Sequence, residues 1–546
     1  MAVSKARYTG AAPVGLADGW SLERLVPPSR LFGANGLRTG PDGRVYVAQV
    51  AGSQISALDV DTGDLETISA QGGDVVAPDD VDFGPEGDLY ITEYYDGRVS
   101  VRGADGASRV LRDDLPGANG ITFHQGRLFV NECRIGGRLM ELDLNGGAPR
   151  VLLENLPMPN AMEVGPDGML YYPTLGGNDI WRIDPDGGEP ERVAAGLGVP
   201  DAVKFDAEGR IVSTQVGSGE VLRIDPRNGE RTVLATVAPG LDNLTFVDGR
   251  LFVSGFTGQI TEILGGGRTR AVLPEGLTWP LDLTVDIDGV LYVADGTYFH
   301  RFTPGTGLEM LGMLFSPGWP GYVRGAASVG PGAFIVTTSN GQIARWTPAR
   351  CEHQVLAGES EPFDQLYGVA VGPNGDVVAA ELGTGRVVAV RATGEVTTSA
   401  SGLDRPMGVA FAADGTCLVS ESGAGRVVSI TGSGAVTVVD GLATPQGIAV
   451  RGGTLYIVDA EAKTLIAASL DGRSRTTIAR DLPVGPPPGV DPKPLKGLPP
   501  FSGPQGLFAG VAAGPDGTVY VSADAEGSVL ALRDLRGGDL RKGEPA

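Results

Sequence analysis

Six oxygen-bearing side chains recur through the first half of this 546-residue chain at intervals of about 40–44 residues: Asn35, Asp79, Asn119, Asn160, Asp201 and Asp242. Each stands just ahead of a short apolar run, as in Asn119-Gly120-Ile121 and Asp201-Ala202-Val203. If the repeats surround an axis, three carboxylates and three amides converge on it. Such carboxylates repel one another unless a cation sits among them. Oxygen donors without His or Cys suit a hard ion, Ca²⁺ first, with Mg²⁺ or Mn²⁺ behind it. Asn and Asp also serve turns by bonding their own backbone, so a hydrated turn is the alternative. The later repeats weigh against it. Their equivalent positions read Leu281, Gly325, Tyr367, Met407, Gln446 and Ala509, one amide and no carboxylate, although the turn is the same.

The elements that must position these residues follow from the repeat. Twelve copies of one phrase occur: a turn, an apolar strand, Gly-Pro-Asp-Gly or a relative, and a second apolar strand. A period near 40–45 residues built from short strands predicts four-stranded β-propeller blades. Twelve blades exceed the usual four to eight of one propeller, so the fold class expected is all-β, two tandem six-bladed propellers, with one closed ring of twelve blades as the alternative. The last copy ends after its third strand, at Val529–Arg533, and Trp20–Leu25 is an outer strand with no blade before it. Outer strands are therefore expected to interlock. On this reading Trp20–Leu25 closes the first propeller, and Thr269–Leu273 closes the second. The domains would be residues 1–266 with an ion-binding channel and 267–546 with an apolar channel, divided near Gly265–Gly267. A Pro-rich stretch over residues 483–504 cannot form a ladder. It reads as a loop, either a cover for one face or a plain excursion.

Strand alternation puts the end of each second strand on the same face as the oxygen ring. Glu93 or Glu132 there could act as a general base, and Arg134 could hold a carboxylate or an oxyanion. Tyr94, Tyr95 and Phe256 would suit an apolar substrate. The second half has Asp295, Glu381, Glu421 and Asp459 at matching positions without an oxygen ring, so a structural role for these acids stands beside the catalytic one.

The phrases Ala118-Asn119-Gly120-Ile121, Pro159-Asn160-Ala161-Met162 and Pro200-Asp201-Ala202-Val203 resemble the senescence marker protein/gluconolactonase family. Leu241-Asp242-Asn243-Leu244 resembles the metal-binding Asp-Asn pair of the more distant paraoxonases. The resemblance spans about residues 35–266. It implies a six-bladed propeller with a divalent ion in its channel, held through Asn119, Asn160 and Asp201. Two departures stand out. The family's first ligand is a Glu where this chain has Asn35, leaving Asp79 or Asp242 to supply the charge. Paraoxonases also use a His dyad, whereas the only histidines here are His124, His300 and His353. The second half is more similar to NHL or virginiamycin-lyase-type repeats, as in Glu381-Leu382-Gly383-Thr384-Gly385-Arg386-Val387.

A net charge of −23 argues against nucleic acid and against anionic membranes as partners. Three scattered cysteines give neither a disulfide framework nor a thiolate metal site. Residues 1–15 hold no apolar signal core, so a cytoplasmic protein with a small-molecule substrate is expected. The leading reading is a metal-dependent hydrolase of a lactone or related ester. A lyase, isomerase or cyclase on a secondary metabolite, or a non-catalytic binding scaffold, are the alternatives.

Overall fold

A computed structural model describes residues 7–8, 13–432, 434–499 and 501–537. Its described residues form twelve antiparallel sheets and no α-helix. The Gly-Pro-Asp-Gly phrase makes the first hairpin of a blade. Gly40 donates its N–H to the Arg44 carbonyl at 2.8 Å, the Asp42 carboxylate accepts from the Arg44 N–H at 3.1 Å, and Gly43 takes φ 79°. Only glycine adopts that conformation without cost.

In the first half each sheet is built from consecutive chain. Blade 1 holds Leu37–Thr39, Val45–Gln49, Gln54–Leu58 and Leu65–Ser69, and blade 6 ends with Ile260–Gly265 and Arg268–Leu273. Leu37, Val45 and Val47 of blade 1 pack with Phe252, Ile260 and Leu273 of blade 6, so apolar burial between blades closes the ring. The same closure is made by polar atoms. Side chains near the end of the second strands donate to the carbonyls of the next blade's ring residues: Asn131 to Asn160 at 2.7 Å, Thr214 to Asp242, and Ser254 of blade 6 back to Asn35 of blade 1 at 2.7 Å. In the second half Ser420 bonds to Gln446 at 2.6 Å, and Ser522 of the last blade bonds to Leu281 of the first at 2.7 Å.

The outer strands are not exchanged as the sequence reading expects. Arg268–Leu273 pairs with Ile260–Gly265 and completes its own blade, while Trp20–Val26 pairs with Ser528–Asp534 and completes the last blade of the second ring. The surplus strand at one end meets the deficit at the other, with Trp20 and Leu22 packed on the cluster that holds Leu530 and Leu532. Gly265–Gly267 is the hairpin between two paired strands and no boundary. The chain instead divides into a unit of residues 30–278 with 489–498, and a unit of residues 1–29, 279–488 and 499–546. The charged tail beyond residue 537 and most of residues 1–12 lie outside the described residues. Among the described residues no helix is long and apolar enough to cross a membrane.

Candidate functional site

The oxygen ring sits at a local irregularity of the innermost strands. In four blades of the first ring the pairing register shifts there, between Pro78 and Val81, Ala118 and Ile121, Pro200 and Val203, and Leu241 and Leu244. A bulge re-aims the side chains it carries. The residues freed from the ladder include Asp79, Asn119, Asp201 and Asp242, and all four are buried, as is Asn160; Asn35 is half-buried.

Two amides are committed to their neighbours. Asn160 accepts from the Ala161 N–H at 2.7 Å and donates Nδ2 to Asp201 Oδ2 at 3.1 Å. Asn35 accepts from the Val50 N–H at 3.1 Å and donates Nδ2 to Asp242 Oδ2 at 3.0 Å. The other oxygens are open. Among the described residues Asn119 Oδ1 and Asp201 Oδ1 are buried with no partner, and no hydrogen bond acts on the Asp79 carboxyl. Burial, then the charges of Asp242 and Asp80, push the Asp79 carboxyl well above its usual range. Burial and the charges of Asp242, Asp79 and Asp80 do the same to Asp201. Burial lifts Asp242 to about 8, against the Asn35 hydrogen bond. Three carboxyls thus share a buried space that opposes their ionisation. Among the described residues no three Asp, Glu, His or Cys side chains meet as a ligand cluster, so an ion held here would also draw on amide oxygen. The donor set fits a hard cation: orphaned carboxylate and amide oxygens with no imidazole beside them.

Sequence reasoning missed the layer beneath. Three residues beyond each ring position stand Arg38, Asp82, Thr122, Glu163, Lys204 and Thr245. Arg38 bonds Glu163 at 3.0 Å, pairs with Asp82 at 3.2 Å and donates to the Ile121 carbonyl at 3.1 Å; Lys204 bonds Glu163 at 2.5 Å. Burial works against the Glu163 carboxylate, yet Lys204 and Arg38 hold it down to about 2. The channel below the ring is filled by this network. Tabulating the chain at the repeat period would have exposed it as four charged residues at one repeat position.

The expected catalytic acids are not free. Glu93 accepts from the Val76 N–H at 2.5 Å, from Arg98 at 2.6 Å and from the Ser100 hydroxyl. Glu132 is held by Arg134 at 2.9 Å and by two nitrogens of Arg138. In the second half Glu421 does the same work, accepting from the Asp404 N–H at 2.9 Å and from Arg426 at 2.5 Å. Glu93 and Glu421 clasp the loop that leads into their blade, whereas Glu132 is held by arginine side chains. Tyr94 and Tyr95 are buried edge-to-face, centroids 5.2 Å apart, and the Tyr94 hydroxyl donates to the Cys133 carbonyl at 3.0 Å. Tyr94 lies close enough to Asp79 and Asp201 to feel both charges. Phe256 is half-buried, and Arg134 is a third exposed. The Pro-rich stretch reaches the same end of the ring: Lys496 pairs with Asp96 at 3.0 Å and Leu498 packs on Gly117, two residues before Asn119. The three histidines take no part in the first ring. His300 stacks on Tyr298 in the other unit, where burial lowers it to about 4; His353 faces the Gly318 carbonyl at 3.2 Å; and His124 ends its innermost strand, beyond the ring.

The second ring also departs from the sequence reading. The Gly325 N–H bonds the Thr337 hydroxyl at 2.9 Å, as the Asp80 N–H bonds Thr92. The residue equivalent to Asp79 is therefore Arg324, and that channel is not wholly apolar: Asp282 lines it too.

Residues 22–254 match the SMP-30/Gluconolactonase/LRE-like region. The first half of the chain carries that region. No curated protein matches the chain. Among solved structures, a streptogramin B lyase is 19% identical over 50% of this chain and 94% of its own, with a TM-score of 0.38. Virginiamycin B lyase from Staphylococcus aureus is 16% identical over 50% of this chain and 96% of its own, also at 0.38. A gluconolactonase from Xanthomonas campestris is 16% identical over 45% of this chain and 96% of its own, again at 0.38.

Proposed function

We propose that the first ring is a metal-dependent hydrolase site for a lactone or related ester. The observation that carries this reading is the pair of orphaned oxygens, Asn119 Oδ1 and Asp201 Oδ1, beside three buried carboxyls that oppose one another's charge. The match of residues 22–254 to a gluconolactonase-like region supports it. Asn119, Asp201 and Asp242 would hold the ion, Ca²⁺ before Mg²⁺ or Mn²⁺, with Asp79 left free beside it. Asn160 and Asn35 orient the Asp201 and Asp242 carboxylates through their Nδ2 groups. A divalent ion so held supplies Lewis-acid polarisation of a carbonyl oxygen.

The remaining work falls to side chains. Asp79, whose carboxylate has no hydrogen bond to satisfy it, takes the proton from an attacking water. The hydroxyl adds to the acyl carbon, the ester C–O bond breaks, and the departing oxygen takes the proton, leaving a hydroxy acid. Arg134, steadied by Glu132, offers its remaining N–H groups to a carboxylate or developing oxyanion. Tyr94, Tyr95 and Phe256 provide the apolar contact. Glu93 clasps the Val76 loop and Glu132 steadies Arg134, and neither touches substrate. The test is hydrolysis of a panel of five- and six-membered lactones with and without chelator. Turnover abolished by EDTA and restored by Ca²⁺ or Mn²⁺ is expected; chelator-resistant turnover, or none on any lactone or ester, would overturn the reading.

A further inference from the structure

One ring residue of the second propeller is a cation that no carboxylate answers among the described residues. Arg324 is fully buried, and its guanidinium lies 4.7 Å over the centroid of Tyr367. Nη1 donates to the Leu366 carbonyl at 3.3 Å, while Nε and Nη2 have no partner. Among the described residues no carboxylate pairs with it, and the one ionisable group that bears on it is the Tyr367 phenol. The other five ring residues, Leu281, Tyr367, Met407, Gln446 and Ala509, carry no charge. A guanidinium does not escape such a position by losing its proton, and a buried unpaired charge is strongly disfavoured. The first ring shows the opposite imbalance, so the repeat itself does not ask for an arginine here.

The vacant atoms have a shape. Nε–H and Nη2–H form the side edge of the guanidinium, two parallel donors that match the two oxygens of a carboxylate. The segment over this end of the channel supplies a second vacancy. Phe508 packs on Tyr367 with centroids 5.8 Å apart, Gly506 abuts the Tyr367 hydroxyl, and the Gly503 N–H bonds the Ser339 hydroxyl at 3.3 Å. Within that segment Gln505 is buried with both amide atoms unpartnered. A half-satisfied polar group of this kind is high in cost unless a ligand completes it.

We infer that the Arg324–Tyr367 end of the second propeller's channel, beneath residues 501–508, binds a small monocarboxylate, bidentate on Nε and Nη2 of Arg324 and completed by the Gln505 amide. One positive charge matches one negative charge, since the Asp282 carboxyl that also lines this channel is taken up by the Ala326 and Leu283 N–H groups; a phosphate dianion would bring a surplus that no second cation in this ring neutralises. Tyr367, Phe508, Leu281 and Met407 favour an apolar or aromatic body on that carboxylate.

The test is calorimetric titration of the full chain with sodium benzoate, acetate and formate, against chloride and phosphate at equal ionic strength. Saturable binding of one benzoate per chain is expected, tighter than acetate or formate. Arg324→Met should weaken it at least tenfold without lowering the melting temperature in probe-free buffer, and Gln505→Leu should weaken it several-fold. No saturable carboxylate binding by wild type, phosphate binding more tightly than benzoate, or equal benzoate binding by Arg324→Met would each overturn the inference. Should Arg324→Met fail to fold, Gln505→Leu decides: unchanged benzoate affinity there would overturn it.

Discussion

The two propellers use one backbone plan with opposite side-chain chemistry, and the contrast lies in two layers of side chains. At the ring, the first carries Asn35, Asp79, Asn119, Asn160, Asp201 and Asp242, and the second carries Leu281, Arg324, Tyr367, Met407, Gln446 and Ala509. Three residues further along, the first has Arg38, Asp82, Glu163 and Lys204, cross-linked by ion pairs. The second has Thr284, Ala327, Ala370, Ala410, Ala449 and Ala512, and a cavity of about 250 Å³ remains there. The inter-blade stitches and clasping acids are common to both rings. Features shared by the rings belong to the fold; features confined to one ring are where function should be sought.

The largest expected effect comes from making the first ring resemble the second. Asp201→Met with Asp242→Gln should lower lactone turnover by about a thousandfold or more, since several kcal/mol of charge stabilisation is lost. Its melting temperature in EDTA should rise, because two opposed buried carboxyls are gone. Turnover kept within tenfold of wild type would break the comparison.

Next is closure of the second ring. Ser21→Pro removes a ladder donor from the strand that completes the last blade, since Ser21 stands opposite Arg533 in the same phase as Gly19, whose carbonyl takes the Leu535 N–H, and should cost roughly 1–3 kcal/mol in that unit's unfolding. Denaturant melts should show one transition shifted and the other unchanged. An unshifted transition would mean that Trp20–Val26 is not the closing strand.

The filled layer predicts an acid weakness. The Glu163 carboxyl is depressed to about 2 in the folded protein against about 4.5 unfolded. Its contribution is therefore present above pH 4.5 and is lost as pH falls through 2. It amounts to about 2 kcal/mol once its partial exposure is allowed for. Glu163→Gln should flatten the stability profile over that window, and an unchanged profile would remove the network from the account.

The smallest effect is a matched pair. Glu93→Gln and Glu421→Gln should each cost about 1–2 kcal/mol of stability and leave ion content alone, because both acids clasp a loop. A Glu93→Gln protein of undiminished stability that no longer turns over lactone would restore the catalytic role for that acid.

Much of this was legible in the chain. The repeat located the blades, and the oxygen ring appeared because its period is fixed by the fold. The clasping role of Glu93 could be foreseen from Glu421, its counterpart in a ring without carboxylates. Three things were not legible. Arg324 was overlooked because Gly325-Ala326-Ala327 mimics the phrase one residue late, although the Gly325 N–H bonds Thr337 as the Asp80 N–H bonds Thr92. The closing strand was misassigned because a surplus and a deficit can be counted from sequence, but pairing is decided by packing such as that of Trp20 and Leu22 against Leu530 and Leu532. The ion-pair layer was missed because Arg38, Asp82, Glu163 and Lys204 lie in four separate blades and meet only across the channel.

The most direct test is the divalent metal content of the purified full chain by inductively coupled plasma mass spectrometry, wild type beside Asp201→Ala. One ion per chain, absent from a folded Asp201→Ala protein, is the predicted result. No ion in the wild type after dialysis against Ca²⁺, Mg²⁺ and Mn²⁺, or an equal content in the variant, would contradict the claim that the first ring is a metal centre.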